Sequence, residues 1–355
     1  MEDKKKLFPS SSFKKSFEKE IKVIGLNGAM KAAQSSSDTQ SLKVIRVLEE
    51  SAFKIEKEDK INKVIDAVKR NLINIYGRAE IKISEKDFPK LFFIPNYKKE
   101  EINKKSGIGL EEGLKGGFSG RDSVAMVFLK GDESLFEKAV TVHHELDHAV
   151  GRLTNIAFYS DGYFITAAQI GYQTGFGKEN LPERRGLLLE EGIVEENAVE
   201  FGLNSHEEIM DLARKEFLSS RNFSVKEMLE KLLYEKEYQQ KILSHSVAHF
   251  SELFYLEARS IIALLELGIM LNEGKQGFDF RDQLLKGRID PKTRRRLIQR
   301  IDATFGRGTT RRLFGLDRDS ESVKSFHDGL QEKIPELRRK REVSRLQMEQ
   351  GKLES

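Results

Sequence analysis

His144-Glu145-Leu146-Asp147-His148 brings together the residue types needed for metal-assisted hydrolysis. On a helix, side chains at i and i+4 share a face, so two imidazoles can grip one ion while the glutamate between them stands beside a water on that ion. The motif therefore offers two ligands and a general base. In random order, this composition would yield roughly 0.015 such matches per chain.

The flanking pattern is helical. Val142, Leu146, Ala149, Val150 and Leu153 fall on one side at 100° per residue, and His144 and His148 fall opposite them. The expectation is a helix with a core side and a histidine side.

A hydrolytic zinc site usually takes three protein ligands and leaves one position for water. The segment 186–199 offers the third. Its apolar stripe runs through Leu187, Leu188, Val194, Ala198 and Phe201, and Glu191 and Glu195 project from its middle. Buried carboxylates are costly unless paired or bound to a cation. Glu191 is the better ligand, and Glu195, one turn on, the better acceptor for the far N–H of a metal-bound imidazole. Glu190 is the reserve ligand, while Glu196 and Glu200 are expected to face water. The competing reading is an ordinary interhelical salt bridge to Arg184, Arg185 or another cation. The other Glu-Gly pairs, Glu112-Gly113 and Glu273-Gly274, have Gly116 and Gly277 where an acid would be needed.

With these residues in view, the chain resembles the gluzincin, or thermolysin-like, zinc metallopeptidases. The likeness rests on 144–148 and on Leu189-Glu190-Glu191-Gly192-Ile193-Val194-Glu195, and it covers about residues 120 to 200. The resemblance implies Zn2+ held by His144, His148 and Glu191, Glu145 as general base, Glu195 behind a ligand, and a peptide or protein substrate. Asp147 departs from many members of that group, and His-Glu-Leu-Asp-His is also similar to the helix of peptide deformylases. Those enzymes take a cysteine as third ligand, and this chain has none. Ser106-Gly107-Ile108-Gly109-Leu110 only faintly echoes another of their motifs. A deformylase-like amidohydrolase and a noncatalytic zinc-stabilised helical binding protein are the alternatives.

A tetrahedral intermediate also needs a hydrogen-bond donor aimed at its oxyanion. Tyr159, Tyr163 and Tyr172 lie between the two motif segments, and His245, His249, Tyr255 and Arg259 follow them. His249 and Tyr255 are the candidates chosen.

The elements that must position these groups are less sharply marked. Ser123 to Leu129 reads as a largely buried strand, with shorter strands expected over Ala79 to Ile83 and Lys90 to Ile94. Helical spacing covers Ser41 to Tyr76 and nearly everything after Gly186. The fold class expected is α+β, a small sheet with the HExxH helix followed by a mostly helical C-terminal half. The divisions expected are a mobile Lys- and Ser-rich segment over 1–40 with a short helix near Phe17 to Ile24, an α+β subdomain over 41–175, a helical subdomain over 176–325, and a charged helical tail over 326–355.

Hydrophobic residues make up 38% and charged residues 33% of the chain. No apolar run reaches the ~18 residues of a membrane span, and the N-terminus lacks an apolar signal core. With no cysteine, the expectation is a cytoplasmic protein with no membrane partner. Arg294-Arg295-Arg296, Arg311-Arg312 and Arg338-Arg339-Lys340-Arg341 read as solvated helix faces, since acids are interspersed and the net charge is only +4. Nucleic acid is therefore not an expected partner, and the sequence implies no particular oligomeric state.

Overall fold

The computed structural model of the chain describes residues 42–53, 60–108, 110, 115–119, 124–160, 163–177, 183–220, 253–316 and 320–353. The expected N-terminal segment with its short helix, as well as His245 and His249, lies outside the described residues.

The fold is mostly helical, with a three-stranded mixed sheet that carries the histidine helix on one face. β1 (Lys90–Pro95), β2 (Gly116–Ser119) and β3 (Val124–Leu129) form the order β1-β3-β2, with β1 parallel and β2 antiparallel to β3. The central strand explains its own sequence. Ala125 and Val127 face the main core, while Val124, Met126 and Phe128 face a second cluster with Phe92 and Ile94. A strand covered on both faces needs a continuous apolar run rather than alternation. The second cluster is closed by Val44, Val47 and Leu48 of α1 (42–51) and by Ile102 of α3 (Lys99–Ser106).

On the other face, α2 (Lys60–Arg78) and α4 (Leu135–Val150) pack together. The buried residues Ile61, Val64, Val68, Leu72 and Ile75 recur on one face of α2 at the expected helical spacing. Two expectations fail here. Ala79 to Ile83 is not a strand but a turn after α2, with Glu80 at φ 60° and Ile81 N–H bonded to Tyr76 O at 2.8 Å. The third strand is instead Gly116–Ser119. Leu153, counted with the helix, lies on β4, because α4 ends at Val150 and Gly151 caps it.

A second sheet separates the two motif helices, a feature the sequence reading did not anticipate. β4 (Arg152–Ser160), β5 (Tyr163–Ile170), β6 (Gln173–Gly177) and β7 (Glu183–Arg185) form an antiparallel meander in sequence order. The chain then enters α5 (Leu187–Asn204) and α6 (Glu208–Ser220). Further along the chain come α7 (Leu253–Glu273), α8 (Phe280–Ile289), α9 (Pro291–Phe305), α10 (Thr309–Gly315) and α11 (Ser320–Leu353). The main core runs from Ile61 of α2 to Leu337 of α11.

The helical tail begins later than expected. Val323, Phe326, Leu330, Ile334 and Leu337 are buried at helical spacings of three or four, and α11 packs along α7. From Arg338 onward every described side chain of the helix is exposed. Among the described residues, no helix is long and apolar enough to cross a membrane.

Candidate metal centre

α4 starts where its sequence says it should. Ser134 and Glu137 form a capping box, Glu137 N–H donating to Ser134 Oγ at 3.2 Å and Ser134 N–H to Glu137 Oε2 at 2.7 Å. Ten residues on, the helix crosses α5, and the ligand candidates meet in that crossing.

His144 Nε2 lies 3.2 Å from His148 Nε2 and 3.2 Å from Glu191 Oε2, and His148 Nε2 lies 3.4 Å from Glu191 Oε2. Three donors at about 2.05 Å from a tetrahedral ion would be separated by about 3.3 Å. The observed triangle matches that spacing, so His144, His148 and Glu191 form a candidate metal-binding triad. Glu191 Oε2 is buried and makes no hydrogen bond, which suits an atom whose lone pair is meant for a cation. The oxygen and nitrogen donors suit a divalent ion such as zinc.

The backs of both imidazoles meet carboxylates. Glu195 Oε2 lies 3.0 Å from His144 Nδ1, and Glu190 Oε1 lies 3.4 Å from His148 Nδ1. Each acceptor favours the Nδ1–H tautomer, which turns the Nε2 lone pair toward the triad. Glu190, the reserve ligand, thus stands behind a ligand rather than among them. His143, by contrast, turns into the core, with Nε2 2.9 Å from Asn71 Oδ1 and its ring stacked on Phe201.

The histidine side of α4 is not a polar face. His144 and His148 are 8% and 6% exposed, because α5 covers them. α5 is itself buried nearly all round, so its acids do not stand out as interruptions of a narrow apolar stripe. Glu196, expected in water, is half-buried and accepts from Arg259 Nε at 2.6 Å. Glu200 is exposed as expected, 3.5 Å from Arg281.

Glu145 is 5% exposed, with its carboxylate against Gly116 of β2 at a distance that leaves no room for a Cβ on that glycine. Burial pushes its carboxyl up to about 7, against the opposing pull of His144 and His148. Such a group accepts a proton readily near neutrality.

Charge balance also favours a cation. Glu145, Asp147, Glu190, Glu191 and Glu195 are all buried, and the buried arginine among them, Arg288, is committed to Asp147 and Glu190. Burial alone would lower the imidazole pKa values, but the surrounding glutamates prevail, raising His144 to about 10 and His148 well above its ordinary value. Burial would raise Glu191, yet the two imidazoles hold it well below the usual carboxylate range. The cluster holds positive charge strongly, whether as protons or as a metal ion.

Asp147 has a structural role. Its Oδ1 accepts from Tyr76 Oη at 2.5 Å and from Arg288 Nη1, and its Oδ2 accepts from Asn197 Nδ2 at 2.8 Å. Arg288 Nε donates to Glu190 Oε2 at 3.1 Å, and Tyr172 N–H donates to the same oxygen at 2.9 Å. Gly171 makes room for this carboxylate, since it sits at φ 56° and a Cβ there would collide with Glu190. Arg288, Tyr76 and Asn197 were missed in the sequence because nothing in their local pattern marks them. The one available signal was the surplus of acids on two apolar helices, which required a buried cation from somewhere.

The oxyanion candidates fare differently. Tyr172 is buried and donates to Leu284 O at 2.8 Å, so its hydroxyl serves the core. Tyr159 and Tyr163 lie at the turn end of the β4–β5 hairpin, and Tyr255 lies in the first turn of α7. Arg294 is not on a solvated face, because its guanidinium reaches Gly171 O, Gly287 O and Arg288 O at 2.8 Å each. Arg295, Arg296, Arg311 and Arg312 are exposed as expected.

The chain matches no protein-family model, no curated protein and no solved structure.

Proposed function

We propose that the protein is a zinc-dependent metallopeptidase of the gluzincin type. The observation that carries this reading is the triangle of His144 Nε2, His148 Nε2 and Glu191 Oε2 at tetrahedral spacing, with Glu145 on the same helix between the two histidines. Zinc bound there supplies a charge that lowers the pKa of water to about 7 and polarises a scissile carbonyl. Glu145 accepts the proton of the attacking water and passes it to the leaving amine. Glu195 and Glu190 hold the imidazoles in the ligating tautomer.

The substrate in this reading is a peptide or protein lying extended along β2, the sheet edge that passes Glu145. No nucleic acid or membrane takes part, and the reaction belongs to the cytoplasm, consistent with a chain that contains no cysteine.

The test is the zinc content of wild type and Glu191→Ala after dialysis, followed by peptide cleavage by wild type and Glu145→Gln. One zinc per chain, lost in Glu191→Ala, with cleavage lost in Glu145→Gln, supports the peptidase. Zinc without Glu145-dependent cleavage turns the site into a structural one, and no zinc at all ends the reading.

A further inference from the structure

Arg288 contacts no ligand of the triad, yet it holds the residues on either side of it. We propose that Arg288 of α8 is a positioning residue of the metal centre, a cross-brace that fixes Glu190 behind His148 and sets the separation of the two ligand-bearing helices. The inference rests on the metal reading above and adds to it a third element, α8, as part of the site.

The argument starts from where the guanidinium reaches. Arg288 has no exposed surface. Nε and Nη2 address the Glu190 carboxylate on α5, Nε to Oε2 at 3.1 Å and Nη2 to Oε1. Nη1 addresses Asp147 Oδ1 on α4, and Nη2 also donates to the Asp147 carbonyl at 3.0 Å. One planar group therefore grips position 147, next to ligand His148, and position 190, next to ligand Glu191. A guanidinium can do this because its donors form a rigid fork, whereas an ammonium offers a single point of charge.

Stability alone does not account for the arrangement. A buried ion pair contributes little net stability relative to packed apolar side chains of equal volume. What the pair does supply is direction. Glu190 is held aimed at His148 Nδ1, 3.4 Å away, where its carboxylate oxygen can accept the Nδ1 proton and turn Nε2 toward the triad. Tyr172 N–H and the absence of a Cβ at Gly171 hold the same carboxylate from its other side. His144 has its own acceptor in Glu195, and the contacts of Arg288 with Glu190 and Asp147 place the brace beside His148.

The test compares Arg288→Lys and Glu190→Gln with wild type and with Arg300→Lys, a distant control. Arg300 pairs with Glu273 and Asp279 near the surface. Zinc affinity is measured by competition with a chromophoric chelator, the visible spectrum is recorded for the Co2+-substituted protein, and metal-free thermal unfolding is followed separately. The expected result is a 10- to 100-fold loss of zinc affinity and altered Co2+ bands in Arg288→Lys and Glu190→Gln, with Arg300→Lys unchanged in both. Should Arg288→Lys fail to fold, the isosteric Glu190→Gln decides alone. Wild-type affinity and an unchanged Co2+ spectrum in Glu190→Gln, and in Arg288→Lys where it folds, would show that Arg288 only fills the core and would overturn the proposal while leaving the metal site standing. A wild type that takes up neither Zn2+ nor Co2+ overturns the metal reading itself, and the brace falls with it.

Discussion

Glu195 Oε2 lies 3.0 Å from His144 Nδ1 across 51 positions of chain, which places an acid of α5 directly behind an imidazole of α4. Both residues are buried, so water cannot replace the carboxylate if it is removed. Glu195→Ala should weaken zinc binding 10- to 100-fold, the usual range for loss of such a partner. Glu195→Gln, which keeps an acceptor oxygen, should lose less. Chelator competition on the two variants checks the order, and equal affinities for Glu195→Ala and wild type would remove Glu195 from the site.

The imidazoles make a prediction about protons. In the metal-free protein His144 is raised to about 10 and His148 lies well above 6.5, because glutamates surround both. Groups with raised folded pKa values stabilise below the unfolded value of about 6.5, and that contribution is lost as pH climbs toward 10. The metal-free protein should therefore lose stability between pH 7 and 10, and zinc should abolish most of that slope. Zinc binding at pH 8 should release protons from this cluster, where ordinary histidines would release almost none. Calorimetric titration in buffers of different ionisation enthalpy reads the number directly.

The candidate triad was legible in the sequence because helix geometry places its members. His144 and His148 are one turn apart on one helix, and Glu191 and Glu195 are one turn apart on another, so each pair could be placed without knowing how the helices meet. The buried strand Val124–Leu129 was legible for a similar reason, its continuous apolar run. Arg288 was not, because its partners are 98 and 141 positions away and its own surroundings carry no period. The meander β4–β7 was missed as well. The tail was misjudged because Ile334 and Leu337 keep the apolar spacing of Leu330 through a run whose charges dominate the composition.

Glu145 and Gly116 should be separable from the ligands by mutation. Glu145→Gln keeps the shape of the side chain but removes its capacity to accept a proton, so peptide cleavage should fall by about 10² to 10⁴ while zinc stays bound. Gly116→Ala puts a methyl group into the Glu145 carboxylate. It should also depress cleavage with zinc content unchanged, because the base is displaced and the ligands are not. Zinc analysis beside a fluorogenic peptide assay separates these outcomes, and full activity in Gly116→Ala would show that the base tolerates displacement.

Asp290 tests whether the junction carrying Arg288 is held by local chemistry. It caps α9 from the residue after α8, accepting from Lys292 N–H at 3.1 Å, Thr293 N–H at 3.0 Å and Thr293 Oγ1 at 2.6 Å. Removing such a cap costs about 1 kcal/mol, so Asp290→Ala should unfold at a temperature lower by roughly 2 °C. The Thr293 hydroxyl and the Lys292 N–H hold the Asp290 pKa below its ordinary value. The stabilisation is then present above the unfolded pKa of about 3.9 and lost as pH falls through the lower folded value. Wild type and Asp290→Ala should accordingly converge in stability in strong acid and differ at neutrality. Zinc affinity should be the same in both, because Arg288 is anchored by Asp147 and Glu190 rather than by the cap. A drop in zinc affinity in Asp290→Ala as large as in Glu190→Gln would instead mean that the whole α8–α9 junction, and not the arginine alone, sets the position of His148.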